Sequence, residues 1–213
     1  MKMMENQDKE TTERRLKEIK QSFRLMMNGV AAQSMREKGV QYHVNWGASL
    51  PMLKEKAKEI GQDYHLAIAL WKENVRECKL LATMVMPPQE MLPEVVDIWM
   101  EQTTSQEVAE MAAFNLYRHL SFAADKAYCW IASDKTLYQI CGFHVLARLF
   151  ADGREPNERG IHEFIDQAQV ALNGESVAVK KAAMAAVLRF ADLGLVYERV
   201  AKSAMRAVGV DIF

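Results

Sequence analysis

The sequence predicts an all-α protein whose helices form an α-α superhelix, that is, a solenoid of stacked helix pairs. Along nearly all of the 213 residues, apolar side chains recur at every third or fourth position, and alternating strand patterns are almost absent. Glycine and proline stand mainly between these periodic segments. Helix pairs recur at roughly 30 to 45 residues, the repeat length of helical solenoids. A globular all-α bundle is the alternative.

The N-terminal half contains five predicted helices. An apolar residue at every third or fourth position from Leu16 to Met26 predicts an amphipathic helix over 11–27, within an N-terminal segment of residues 1–28. Ser49 as a cap and Pro51 in the first turn predict a helix that ends at Gly61. The other three are expected at 65–73, which Asp63 starts, at 75–86, and at 88–100, after Pro87.

The C-terminal half contains six predicted helices. Thr104 or Ser105 can cap a helix that runs to Leu120. The others are expected at 121–132, 134–150, 157–172, 177–191 and 195–208, and glycines stand between the later ones. Since no linker is long enough to divide the chain, a single domain of residues 1–213 is predicted.

The composition disfavours several classes of protein. Half of the residues are apolar, 26% are charged and the net charge is −1, so disorder and nucleic-acid binding through overall charge are disfavoured, although a local basic face is compatible. No apolar run approaches the ~18 to 20 residues of a membrane helix. The first 20 residues are too polar for a secretory signal. We therefore expect a cytoplasmic protein with no membrane partner.

The residue types that bind metals and cofactors are scattered. Cys78, Cys129 and Cys141 lack metal-binding or redox spacing, and the five histidines form no HExxH-like pair. The glycines form no phosphate-binding loop. No metal, no cofactor and no nucleotide are therefore expected, and the cysteines, tryptophans and methionines are expected to pack in the core.

Several short motifs follow one another between residues 40 and 190. They are Asn45-Trp46-Gly47 running on to Ala57-Lys58-Glu59-Ile60, then His65-Leu66-Ala67, Leu70-Trp71, Val75-Arg76-Glu77, Leu81-Ala82, Asp97-Ile98-Trp99, Trp130-Ile131-Ala132-Ser133 and Lys180-Lys181-Ala182. In this order they resemble the AlkC/AlkD DNA alkylation-repair family. The resemblance implies a HEAT/armadillo-like solenoid with a concave DNA-binding face, and the excision of cationic alkylated purines such as 3- and 7-methylated bases.

The resemblance also implies catalytic residues that this sequence does not match. The glycosylases of the family use an arginine, tryptophans and a carboxylate, which stabilises the oxocarbenium-like sugar as the glycosidic bond breaks. In an alignment without a gap, Ser105 stands at the tryptophan position and Ala109 at the position of the catalytic aspartate. The paired arginine positions hold Gln139 and Ile140, and the third aromatic position falls at 184–186. Glu107 and Glu110 are the candidates for a displaced catalytic carboxylate.

Five basic residues are candidates for contacts with DNA phosphates. They are Arg118, Arg148, Lys180, Lys181 and Arg189. One basic residue per repeat on a concave side would follow a duplex backbone without reading bases, although Lys180 and Lys181 differ by about 100° around their helix. The sequence thus predicts a protein that binds double-stranded DNA, intact or damaged, and lacks glycosylase activity. The alternatives are an active glycosylase for N-alkylated purines and a non-enzymatic scaffold for a protein partner, which the acidic block 61–111 favours.

Overall fold

The computed structural model describes residues 2–40 and 42–211, with side chains from Glu10 onward. Within them the chain forms α1 (Lys2–Ser22), α2 (Gly29–Glu37), α3 (Leu50–Ile60), α4 (Tyr64–Lys72), α5 (Arg76–Val85), α6 (Pro93–Glu101), α7 (Gln106–Asn115), α8 (Ala123–Ile131), α9 (Thr136–Ala151), α10 (Glu158–Asn173), α11 (Val177–Ala191) and α12 (Leu195–Ala207). Three short 3₁₀-helices lie at Phe23–Met26, Pro88–Glu90 and Tyr117–His119. The all-α prediction is confirmed.

The chain divides into two compact units, Met1–Glu101 and Gln102–Phe213. In the first unit α1 packs on α4, and α5 packs on both α3 and α4. The rings of Trp71 in α4 and Trp99 in α6 stack in parallel, with centroids 4.1 Å apart. That a single domain spans residues 1–213 stays a prediction.

The second unit has two layers of helices. Helices α7, α9 and α11 lie side by side in one layer, and α8, α10 and α12 cover one side of it. Phe150, Phe164 and Phe190 meet between α9, α10 and α11, with ring centroids 5.1 to 5.5 Å apart. These pairs of helices are the stacked units that the sequence period predicts.

Several predicted helix ends are confirmed at the level of single hydrogen bonds. The Asp63 carboxylate accepts a bond from the Leu66 amide at 2.9 Å, and the Ser105 hydroxyl accepts one from the Val108 amide at 3.2 Å. Gly61 ends α3 with φ of +73°, a conformation that favours glycine. Ser49 precedes α3, but its side chain makes no capping bond.

Other predicted boundaries are wrong. The predicted helix at 11–27 ends as an α-helix at Ser22, and the sequence analysis missed α2, which Asn28 caps by accepting a bond from the Ala31 amide at 3.0 Å. Met1, at the start of the predicted segment 1–28, lies outside the described residues. The helix expected at 88–100 begins at Pro93, because a proline inside a helix lacks the amide hydrogen and clashes with the preceding turn.

The helix predicted to run to Leu120 ends at Asn115. Leu116 leaves the helical conformation with φ of −128°, and the chain continues into the 3₁₀-helix Tyr117–His119. Leu116, Tyr117 and Leu120 are all buried in this arrangement. The break therefore serves burial of apolar side chains, which local periodicity does not reveal.

The core predictions for cysteine and tryptophan are partly confirmed. Cys78 and Cys141 are buried, as are Trp71, Trp99 and Trp130. Cys129 is exposed and Trp46 is half-buried, so for these two residues the expectation of core packing is wrong. None of the described helices combines the length and apolar character needed to cross a bilayer. No three metal-ligating side chains converge among the described residues.

Candidate nucleic-acid interface

One layer of the second unit presents polar and aromatic side chains at helical spacing. In α7, Glu110 and Phe114 are four residues apart, and in α9, His144 and Arg148 are four residues apart, so each pair lies on one side of its helix. Because α7 packs on α9, the pairs meet: Glu110 Oε1 lies 3.7 Å from His144 Nε2, and the Arg148 guanidinium lies 4.6 Å from the Phe114 ring centre. The layer thus offers a carboxylate–imidazole contact beside a cation–π contact.

Three of the five basic candidates for DNA contacts come together beside these two contacts. Arg118 lies in the 3₁₀-helix after α7, Arg148 in α9 and Arg189 in α11. Burial lowers the pKa of Arg148, and the positive charges of Arg118 and Arg189 lower it further. We call these three residues the arginine cluster. Arg118 and Arg148 are 30 residues apart in the sequence, and Arg148 and Arg189 are 41 residues apart. The lateral packing of α7, α9 and α11 brings them close together.

Two aspartates compensate part of this charge. Arg118 Nη2 donates to both carboxylate oxygens of Asp152, at 2.6 and 2.5 Å, and Arg189 Nη1 donates to Asp192 at 2.9 Å. The Nε of Arg118 is buried and has no hydrogen-bond partner in the described part of the chain. Arg148, which lies over the Phe114 ring, forms no ion pair with either aspartate, and the planar forks of arginine match the geometry of phosphate oxygens.

The two lysine candidates, Lys180 and Lys181, do not belong to the arginine cluster. Both lie in the first turns of α11, where Lys181 is exposed and Lys180 is half-buried. Nine residues separate Lys180 from Arg189, so the two point to opposite sides of the helix, about 180° apart. Lys181 and Leu188 point in nearly the same direction, about 20° apart. Lys181 therefore lies on a side that faces solvent, and Lys180 does not share the side of Arg189.

The two carboxylate candidates are both in α7. Glu107 is half-buried in the first turn. Glu110 Oε1 accepts a hydrogen bond from Gln106 at 2.7 Å. The His144 imidazole, and then Gln106, lower the pKa of Glu110 against the opposing effect of burial. Glu110 is therefore an anion at neutral pH, half-exposed on the same layer as the arginine cluster.

The positions that the family resemblance assigned to catalysis lie elsewhere. Ala109 is fully buried, Ile140 and Ala186 are buried, and Gln139 is half-buried. The Ser105 hydroxyl caps α7. The ungapped position of the catalytic carboxylate thus lies in the core, whereas its neighbour Glu110 reaches the surface of the layer.

Sequence reasoning missed Phe114, His144 and Asp152. The i, i+4 spacing of Glu110 with Phe114, and of His144 with Arg148, was a signal that could have placed each pair on one side of a helix. Asp152, which follows α9, gave no such signal because its partner Arg118 is 34 residues away.

Comparisons with known proteins agree with this fold. Residues 19–191 match the model of a family described as "DNA alkylation repair enzyme". The fold also matches a solved structure described as "a new family of proteins related to the HEAT-like repeat DNA glycosylases with affinity for branched DNA structures". The match covers 92% of this chain and 84% of the chain in that structure, with a TM-score of 0.82 and 18% sequence identity. This match confirms the prediction of a HEAT-like repeat fold. No curated protein sequence matches the chain.

Proposed function

The chain belongs to the DNA alkylation repair enzyme family, and from this membership we propose that it binds DNA through the arginine cluster without cleaving the base–sugar bond. The observation that carries the proposal is the packing of the 3₁₀-helix Tyr117–His119 and of α11 against α9, which brings Arg118 and Arg189 near enough to Arg148 for their charges to lower its pKa. Contacts from arginine to phosphate position a protein on DNA and supply affinity that does not depend on base sequence. Binding of this kind weakens steeply as salt is added.

Branched DNA is part of the proposed ligand class. The solved structure of similar fold is described as having affinity for branched DNA, and we extend that property to this chain as a proposal. Phosphate contacts carry no sequence information, so a site built on them can accept a duplex arm of a junction as well as a plain duplex. Intact duplex, damaged duplex and three-way junction are therefore the ligands to compare.

The absence of base cleavage is proposed because of the side chains in α7. Ala109 offers no carboxylate, and the nearest one, Glu110, is engaged by Gln106 and His144. A carboxylate that accelerates glycosidic cleavage must lie beside the sugar where positive charge develops. Engagement with two neighbours on its own layer disfavours that role for Glu110.

Removing the charge of the arginine cluster tests the binding site. In the variant R118Q/R148Q/R189Q the slope of log affinity against log salt should fall in magnitude by about 2.7, because each lost phosphate contact contributes about 0.9. The matched control R159Q/R199Q/R206Q removes the same charge from exposed positions on α10 and α12 and should keep the wild-type slope. Anisotropy titrations of labelled duplex and three-way junction at several salt concentrations measure both.

A double variant keeps the test valid if the triple variant does not fold. R148Q/R189Q leaves the Arg118–Asp152 pair intact and should lower the slope by about 1.8. Equal slopes for wild type and for both cluster variants would overturn the proposed site. An absence of DNA binding by the wild type at low salt would overturn the function and leave the protein-binding scaffold.

A base-excision activity is the second candidate function, since Glu110 is a half-exposed anion on the layer that carries the arginines. It predicts release of methylated purines from alkylated DNA, and loss of that release in E110Q. E107Q serves as the comparison, because Glu107 is the other candidate carboxylate in α7. Our proposal expects no release above the spontaneous rate, so a rate that disappears in either variant would contradict it.

A further inference from the structure

The first unit contains a cavity of about 520 Å³ that the DNA-binding proposal does not use. It lies between α1, the segment from His43 to Trp46, and residues 73–75. Its basic lining residues are Lys17, Lys20 and Arg24, and its aromatic wall is Trp46. The volume falls within the range of about 300 to 1,000 Å³ that is usual for small-molecule sites.

Trp46 differs from the other three tryptophans. Trp71 and Trp99 stack on each other, and Trp130 packs against Tyr117 and Tyr138. Trp46 is half-buried, and no aromatic ring among the described residues stacks on it. Trp46 is thus the one tryptophan within the described residues that lines the cavity without another aromatic ring against it.

Hydrogen bonds hold the backbone of Trp46 in place. Its amide donates to Glu77 Oε2 at 3.2 Å, and its carbonyl oxygen accepts from the Asn28 amide at 2.8 Å. Glu77 Oε1 accepts from the Ala48 amide, also at 3.2 Å, and Arg76 donates to the Ala48 carbonyl at 3.0 Å. We call this arrangement of Arg76, Glu77 and the 46–48 backbone the Glu77 clamp. It fixes Trp46 at the cavity before any ligand arrives, which lowers the entropic cost of binding.

The opposite wall, α1, is also anchored. Arg15 pairs with Asp63, and Lys20 Nζ lies 2.6 Å from Glu73 Oε2. These two pairs attach α1 to both ends of α4. Lys17 and Arg24 are exposed at the cavity and form no ion pair within the described residues. This side of the cavity therefore presents two positive charges outside ion pairs, Lys17 in α1 and Arg24 in the 3₁₀-helix that follows it.

The charge of the cavity favours an anionic ligand. Glu73 is compensated by Lys20, and Glu13 is the other carboxylate of the lining, so three basic residues face two acidic ones. Stacking on an indole favours flat rings, and the excess of one positive charge favours phosphate. A flat ring joined to a phosphate is the chemistry of a nucleotide whose base is not paired.

We propose that this cavity binds an unpaired nucleotide, with its base stacked on Trp46 and its phosphate contacting Lys17 and Arg24. Every residue in the proposal belongs to the first unit, so the proposal does not rest on the arginine cluster of the second. The nucleotide could belong to a single-stranded segment of DNA or be free in solution. The same stacking and charge contacts serve both sources.

Labelled pentathymidylate tests the proposal by fluorescence anisotropy at low salt. Trp46→Ala should weaken its binding about tenfold or more, the usual effect of removing one stacked base contact. Trp46→Phe keeps a stacking ring and should stay within about threefold of wild type. The variant K17Q/R24Q should lower the salt slope by about 1.4, at about 0.7 per contact for single strands. The control R14Q/K58Q removes equal charge outside the cavity and should leave binding unchanged.

Two further arms separate the possible results. Unlabelled thymidine 5′-monophosphate competes well if the site takes free nucleotides and poorly if it takes a strand, and either result supports the pocket. The variant R118Q/R148Q/R189Q should bind pentathymidylate like wild type, and Trp46→Ala should keep the duplex affinity, so the two proposals fail separately. Equal pentathymidylate affinity in wild type, folded Trp46→Ala and Trp46→Phe would overturn this proposal, as would no binding of either probe.

Discussion

Replacing Glu77 with glutamine removes the negative charge from an ion pair that solvent does not reach. The side chains of Arg76 and Glu77 are 2% and 0% exposed, with 3.2 Å between Nη1 and Oε1. The same carboxylate accepts hydrogen bonds from the amides of Trp46 and Ala48. Glutamine keeps the size of the side chain but removes a negative charge that pairs with Arg76.

The expected loss of stability follows from the burial of the pair. Removing one partner of a buried ion pair costs about 3–5 kcal/mol, because the other charge stays in a medium that solvates it poorly. In Glu77→Gln the amide oxygen can still accept one bond, and Arg76 keeps its bond to the Ala48 carbonyl. We therefore expect a loss near the lower end, about 3 kcal/mol in the free energy of unfolding.

Urea denaturation followed by tryptophan fluorescence measures this loss, since the stacked Trp71 and Trp99 report on the first unit. Glu55→Gln is the matched control: Glu55 is 68% exposed and pairs with Lys58 at 2.8 Å. Exposed pairs contribute about 0 to 1 kcal/mol, so the control should change little. A loss below about 1 kcal/mol in Glu77→Gln would refute the view that this pair holds the 46–48 turn.

Three further predictions concern Gly47 and the cysteines. Gly47→Ala should destabilise the first unit by about 3 kcal/mol, because Gly47 has φ of +70° and an added Cβ would lie 2.2 Å from the Asn28 carbonyl oxygen. Gly61→Ala, with φ of +73° and open space, should cost about 1 kcal/mol, and urea melts compare the two. Burial raises the pKa of Cys78 to about 12 and also raises that of Cys141, so a thiol reagent should modify only Cys129 in the native protein. A second fast-reacting thiol would contradict this. Above the unfolded thiol pKa of about 8.5, stability should fall with rising pH towards 12, because only the unfolded state releases these protons.

The helices of this protein were largely predictable because their signals are local. Asp63 and Ser105 satisfy amides three residues ahead, and Gly61 supplies the positive φ at a helix end. Pro93 was an equally local signal for a helix start, and overlooking it placed the start of α6 five residues too early. The break at Leu116 was different in kind, since it depends on which side chains the rest of the unit buries.

The candidate site was predictable only in its parts. Arg118, Arg148 and Arg189 could be named as basic residues of separate repeats, but nothing local says that they converge. Nor does anything local say that Ala109 is buried and that Glu110 reaches the surface. Successive residues are rotated by about 100° around a helix, and the packing of the layer decides which of them is buried. Trp46 is a third case, because Glu77, which fixes its backbone, lies 31 residues away.

The sequence by itself determined the all-α class, most helix ends and the family, because helical period, capping and short motifs are encoded within a few neighbouring residues. The tertiary structure alone decided which helix sides face one another. That choice brings the three arginines together, places Glu110 rather than Ala109 at the surface and opens the cavity at Trp46. Its physical reason is that the register between two packed helices is set by the shapes of both surfaces at once, which no single segment contains.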